Sequence, residues 1–263
     1  MTGSPDNSHG TGPDPAELAR KISAQAVYDR PLAKRFYKEV SLQELPEGFG
    51  LALDDRPVKT PLKKTLMMPS RQLSEAVVQE WERQEEHIDP STMMLTKLCN
   101  TALDRVGDDR GRIIDEIVGY ANADLLCYRA EGPVELVARQ CKLWDPVLDW
   151  AAETLSAQFT TTAGVIHQNQ SHACLAAFRR FVEDLDNFAM AGYHNAMTIT
   201  GSAVLAAAAL RRHLSADDVW SLAHVDEDWQ IEQWGPDEEE AERRAGRRIE
   251  FQGIVEFLML LDR

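Results

Sequence analysis

Cysteine is scarce and scattered in this 263-residue chain: Cys99, Cys127, Cys141 and Cys174 lie far apart and form no Cys-x-x-Cys pair. No disulfide framework is implied, and each cysteine sits in an apolar or helix-like stretch, as a reduced buried thiol would. A phosphate-binding loop is excluded, because none of the fifteen glycines is followed by lysine. Gly48-Phe49-Gly50 opens a dinucleotide fingerprint, but Leu53 occupies the third glycine's place and a hairpin pattern follows where a helix should start. No histidine precedes a glutamate and no Gly-x-Ser-x-Gly occurs, so zinc-protease and nucleophile-elbow signatures are missing as well. Long apolar runs are also lacking. The longest, Ala196 to Leu210, covers about fifteen residues, short of the roughly 20 that span a bilayer. It reads as a buried core helix, with Gly201, Ala203, Ala206 and Ala207 permitting close helix approach.

Positive charge is in short supply: 28 Lys and Arg stand against 43 Asp and Glu, for a formal charge of −15. Such a surface suits neither the phosphate backbone of nucleic acids nor anionic membranes. Met1 to Pro15 is rich in Gly, Ser, Pro and Asp without an apolar core, so it reads as neither a signal peptide nor an anchor. We expect a tail over residues 1–27 and a cytosolic, bacterial setting.

Two regimes follow the tail. Residues 28–69 carry short extended runs (Phe36 to Leu42, Phe49 to Leu53, Pro57 to Thr60, Thr65 to Met68) broken by turn residues. Leu51-Ala52-Leu53, Asp54-Asp55, Arg56-Pro57-Val58 reads as a hairpin, and Pro57 and Pro61 confine its second strand to a sheet edge. Between Arg30 and Lys64 the chain is locally basic, with cations at 30, 34, 35, 38, 56, 59, 63 and 64 against acids at 39, 44, 47, 54 and 55. From Ser70 the period becomes helical, with Leu73, Ala76, Val77 and Trp81 on one stripe. Helices are expected from near Pro90, over Arg110 to Ala121, and from Asp145 as cap with Pro146 at the first position. Others are expected over Ser171–Leu185, Asn187–His213, Ser215–Gln233 and Pro236–Leu261, while Asp124 to Tyr128 reads as briefly extended. The fold class is therefore α+β: a small N-terminal β domain, 28–69, packed on a larger all-α domain, 70–263.

Candidate catalytic and metal-binding clusters are weak. His167, His172 and Cys174 would diverge on a helix, since residues five apart are about 140° round the axis and residues two apart about 200°. Glu85, Glu86 and His87 follow the Trp81 helix and read as a solvated end. No metal or other cofactor is expected. The richer signal is tryptophan beside acid. Trp229 and Trp234 sit in Asp226-Glu227-Asp228-Trp229-Gln230-Ile231-Glu232-Gln233-Trp234-Gly235, followed by Pro236 and Asp237-Glu238-Glu239-Glu240. The positive end of a helix dipole favours acids in its first turn. Tryptophans rimmed by charge also suit a protein-binding hot spot. Trp229, Trp234, Asp237, Glu238, Glu239 and Glu240 are the candidate partner-binding residues, and Trp81, Trp144 and Trp150, on apolar stripes, are expected to be structural.

Several blocks, in order, resemble the assembly chaperones of the F-type ATP synthase that bind the free alpha subunit of its catalytic head. They are Gly48-Phe49-Gly50-Leu51-Ala52-Leu53-Asp54-Asp55-Arg56-Pro57-Val58-Lys59-Thr60-Pro61, Glu80-Trp81, Leu95-Thr96-Lys97-Leu98-Cys99-Asn100-Thr101-Ala102-Leu103-Asp104, Asp124-Leu125-Leu126-Cys127-Tyr128-Arg129, Trp144-Asp145-Pro146-Val147-Leu148-Asp149-Trp150 and Trp229-Gln230-Ile231-Glu232-Gln233-Trp234-Gly235. Asp55 departs from the glycine expected there in many relatives. The resemblance implies a β domain followed by an α domain, no ATPase activity of its own, and the alpha subunit as partner, held until beta takes its place. The family is also known from mitochondria. We expect a bacterial cytoplasmic protein of alpha-proteobacterial kind, the mitochondrial matrix being the setting in a eukaryote. The competing reading is an enzyme or small-ligand protein with its site between the two domains.

Overall fold

The computed structural model describes residues 32–261; the expected tail lies outside them. The chain first builds an antiparallel sheet. Strand β1 (Ala33–Lys34) is followed by β2 (Val40–Leu45), β3 (Gly48–Leu53), β4 (Arg56–Pro57) and β5 (Met67–Met68). β3 is central, with β2 along one side and β4 and β5 sharing the other. The β3–β4 turn places both Asp54 and Asp55 at positive φ, 47° and 64°, the geometry that matches the twist of paired strands. Asp54 tolerates it because its carboxylate accepts from the N–H groups of Lys38 and Glu39 at 3.0 and 2.9 Å. β2 begins at Val40, later than the expected run from Phe36, because Tyr37 turns inward and its hydroxyl donates to the Trp81 carbonyl.

Ser70 caps α1 (Arg71–Glu82), accepting from Leu73 N–H, and buries Leu73 and Val77 under the sheet. Beyond it, β6 (His87–Ile88) returns to pair with β1. Then come α2 (Met94–Thr101), a π turn over Ala102–Val106 and α3 (Gly107–Asn122). β7 (Tyr128–Arg129) runs parallel to β8 (Thr162–Ala163). Between them lies α4, Val134–Leu155.

α4 corrects the expected start at Asp145. Pro146 sits inside the helix and removes one backbone hydrogen bond. The helix continues because Leu136, Gln140, Trp144, Val147, Leu148, Ala151 and Leu155 form one buried stripe across the proline. Asp145 caps nothing and instead pairs with Arg129 at 2.8 Å.

Two further helices are shorter than their patterns imply. The run from Asn187 divides into α6 (Asn187–Thr200) and α7 (Ala203–Leu210), after α5 (His172–Glu183). Gly201 closes α6 in the left-handed region at φ 69°, and Ser202 restarts the chain by accepting from Leu205 N–H. The run from Ser215 divides likewise into α8 (Ala216–Ala223) and α9 (Val225–Trp234), with His224 between them. The last helix, α10, spans Glu238–Leu260 with Asp237 as its cap.

α7 is the centre of the molecule. All eight of its residues are buried, and α3, α4, α6, α8 and α10 pack round it. A sheet at the N-terminal end with mainly helices after it, interrupted by the short strands β6, β7 and β8, bears out the α+β class.

Candidate functional site

The carboxylates inside the fold are joints. Glu80 accepts from Leu95 N–H, Thr96 N–H and the Thr96 hydroxyl at 2.7, 2.8 and 2.8 Å, so a side chain of α1 caps α2. Asp104 takes the Thr60 hydroxyl at 2.6 Å and Leu62 N–H at 3.0 Å, fixing the loop after β4 to the π turn. Asp124 is wholly buried. It accepts from Leu126 N–H, the Ser202 hydroxyl and Val204 N–H at 3.0, 2.8 and 3.0 Å, which anchors the break between α6 and α7. Desolvation raises the Glu80 carboxyl above its usual range and lifts Asp124 to about 6. All three lie in the sequence blocks described above, and each is spent on hydrogen bonds that join segments of the fold.

The other polar candidates are either tied to neighbours, buried as thiols, or exposed to solvent. The two ring nitrogens of His167 meet the Tyr128 hydroxyl at 2.8 Å and Asn169 Oδ1 at 3.0 Å. His172 is exposed at the start of α5, while Cys174 is buried and its thiol raised to about 11 by desolvation. Cys99 and Cys127 are buried and raised too, the opposite of a reactive thiolate. Glu85, Glu86 and His87 are exposed. Among the described residues no group of three His, Cys, Asp or Glu is placed to hold a metal ion, and no helix is long and apolar enough to cross a membrane.

The tryptophans separate by position. Trp144 is fully buried and donates through Nε1 to the Leu222 carbonyl at 2.9 Å. Trp150 is half-buried and stacks on His213, ring centres 4.7 Å apart. Trp81 is half-buried between the sheet and α2, with its ring 5.7 Å from that of Tyr37.

The structure brings the candidate partner-binding residues together at one corner, where α9 turns into α10. Gly235, at φ 83°, permits the reversal. Trp229 is half-buried under the Arg139 guanidinium, 5.0 Å from its ring centre, and Arg139 also grips Glu232 through two bonds of 2.8 and 2.7 Å. Trp234 is 79% exposed. Beside it, Ile231 and Pro236 line a groove of about 430 Å³ edged by Glu227, Asp237 and Glu240.

Past the turn, Glu238 to Glu250 contains no buried residue, whereas Phe251, Ile254, Val255, Phe257 and Leu258 are buried. The first half of α10 is therefore an arm of about 20 Å, at 1.5 Å per residue, held to the body by side-chain ties (Arg244 to Asp228, Arg247 to the Ile199 carbonyl, Arg248 to Asp217) and not by a buried stripe. Sequence periodicity alone could not separate this arm from the packed half. The signal was present in Glu238–Glu250, whose sole large apolar residue is Ile249, 71% exposed.

The acids at this corner are not equivalent. Asp226 accepts from Gln140, Asp228 from Arg244, and Glu240 pairs with Arg243 one turn on. Asp237 accepts the Glu240 N–H as helix cap. Glu238 and Glu239 are exposed and form no salt bridge among the described residues. The corner thus offers rigid aromatic area next to uncompensated negative charge.

The ATP12 chaperone protein family matches residues 34–152. The solved structure of Atp12 from Paracoccus denitrificans is 36% identical, with a TM-score of 0.83 over 87% of this chain and 98% of that one. That of the Atu1473 protein from Agrobacterium tumefaciens is 41% identical, with a TM-score of 0.85 over 96% of this chain and 93% of that one. Among curated proteins, mitochondrial protein atp12 of Schizosaccharomyces pombe is 20% identical over 224 residues, 81% of this chain and 77% of its own length. With two solved relatives more than a third identical and matched over most of both lengths, the chain belongs to the ATP12 chaperone family.

Proposed function

We propose that this chaperone of ATP synthase assembly binds the free alpha subunit through the corner between α9 and α10. One observation carries the reading: an arm that buries nothing of its own holds Glu238 and Glu239, both without a salt bridge among the described residues, beside the exposed Trp234. This helix half ties back to the body through Arg244, Arg247 and Arg248, yet it leaves Glu238 and Glu239 at its start exposed and open to contact with something else. The carboxylates would pair with arginines that the free subunit presents at the interface it later shares with beta. Trp234 and the neighbouring groove supply the apolar anchor that hot spots use. Binding of this kind shields an exposed interface from aggregation. The chaperone works without turning over ATP, in the bacterial cytoplasm, or in the mitochondrial matrix for a eukaryotic relative.

The test is suppression of turbidity with isolated subunits. Purified protein should keep the alpha subunit in solution and leave the beta subunit to aggregate. Equal protection of both, or of neither, would sink the assignment. The same preparation should neither bind ATP tightly nor hydrolyse it. Turnover that follows the protein peak through successive purification steps would restore the enzyme reading.

A further inference from the structure

A second face, on the β side, has the opposite electrostatic character. Phe36 and Leu62 are 73% and 62% exposed there. Between them lie two cavities of about 490 and 510 Å³ that share Trp81 as a wall. Leu62, Ile88 and Met93 line the first; Phe36, Pro57 and Val58 line the second. Lys97 and Arg105 edge one cavity, and Arg56 and Lys59 edge the other.

Each cavity also has one carboxylate, and both are engaged. Asp104 is filled by Thr60 and Leu62, and Asp54 by the N–H groups of Lys38 and Glu39. None of the four cations forms a salt bridge among the described residues, although Arg56 helps lower the Asp54 pKa. The Trp81 indole N–H is shielded and has no hydrogen-bond acceptor, so no polar tie fixes the ring between the two cavities.

We propose that this Trp81-centred groove docks an acidic segment bearing aliphatic or aromatic side chains, contributed by the same client that the acidic arm engages. Charge complementarity selects the occupant. The protein as a whole carries −15, so an acidic chain is repelled at long range and attracted only where cations outnumber free carboxylates. Apolar walls then require apolar side chains between the acids. The inference rests on the client reading above in one respect, the identity of the protein that supplies the segment.

The experiment uses the full chain and a short fluorescein-labelled synthetic peptide alternating glutamate and leucine, read by anisotropy. Its counterpart has lysine at every glutamate. The acidic peptide should bind, and Leu62→Glu and Lys59→Glu should each weaken it by roughly tenfold. Glu238→Lys with Glu239→Lys should leave this affinity within about twofold of wild type. Leu62 and Lys59 are exposed, so their replacement leaves the core intact, which a melting curve checks. Equal binding of the lysine peptide, or an affinity indifferent to Leu62→Glu and Lys59→Glu, overturns the proposal. So does a concentration-dependent dimer that Leu62→Glu disperses, because a second copy would then cover the face. Peptides tiling the alpha subunit complete the test: acidic, aliphatic tiles should bind wild type and lose binding with Leu62→Glu. Loss of whole-subunit capture with the synthetic peptide still bound would fault the client reading alone. Capture without peptide or tile binding would fault the groove alone.

Discussion

Glu80, Asp104 and Asp124 sit in the interior with their oxygens facing backbone N–H and hydroxyl donors. A carboxylate in such a place links chain segments far apart in sequence, and its protonation state is coupled to folding. For Asp124 the folded pKa, about 6, lies above the ordinary value of 3.8 because burial disfavours the charge. The stabilisation from this group is therefore fully present below about pH 4 and is lost as pH rises through about 6, a change on the order of 3 kcal/mol. Asp124→Asn removes the titration and turns one donor toward Val204 N–H. The stability gap between wild type and Asp124→Asn in urea melts should narrow by about 2.5 kcal/mol from pH 4 to pH 7. His224 contributes in the other sense. Burial lowers its pKa, so its stabilisation is present above about pH 6.5 and lost as pH falls. That effect is common to both proteins and cancels in the difference. A gap that is constant with pH would mean that Asp124 titrates as it does in the unfolded chain.

At the scale of elements, the boundaries that the sequence made legible are those with local chemistry. Ser70 and Ser171 cap their helices, and the paired aspartates turn the β3–β4 hairpin. The boundaries that were misread depend on tertiary partners. Asp145-Pro146 has the residues of a helix start, yet the buried stripe from Leu136 to Leu155 carries α4 straight through it. Conversely, the helix expected over Asn187–His213 looks continuous, and it divides because Asp124, remote in sequence, anchors Ser202 and Val204. Gly201 is the local trace of that division. At φ 69° a side chain is strained although nothing lies within 4 Å of its Cβ position. Gly201→Ala should therefore destabilise by about 1–2 kcal/mol, and Gly201→Asn by less, since asparagine tolerates the left-handed region. Denaturant midpoints decide it; an alanine variant as stable as wild type would show that the break is held by Asp124 alone. The partner-binding candidates were legible as a cluster, because Trp229 to Glu240 are contiguous. Which of those acids is already spent, Glu232 on Arg139 and Glu240 on Arg243, required the fold.

Across the whole molecule, charge is sorted by location. Residues 226–250 hold ten acids against four arginines, while Arg56 and Lys59 of the β region, with Lys97 and Arg105, surround Trp81 without a salt bridge among the described residues. On the proposed reading, a client that docks at the arm would meet a negative surface first. The arm's share of binding is tested by reversing its unpaired acids, Glu238 and Glu239, to lysine. Glu240 is the less clean target, because its reversal also breaks the pair with Arg243. Both chosen side chains are exposed on a helix half that buries nothing, so the melting temperature should stay within a few degrees of wild type. Close charge pairs across an interface couple by about 1.5–7 kcal/mol, whereas pairs at a wet rim contribute little. If these acids meet client arginines in a desolvated contact, the double reversal should weaken affinity for the alpha subunit by at least about tenfold at low salt, the equivalent of ~1.4 kcal/mol. Raising the salt shortens the screening length from about 30 Å at 0.01 M to about 8 Å at 0.15 M. The long-range part of the loss should shrink accordingly, and the contact part should persist. An affinity within twofold of wild type at both salts would reduce Glu238 and Glu239 to the acids that any helix start favours, and would move the search for the client contact to Trp234 and its groove.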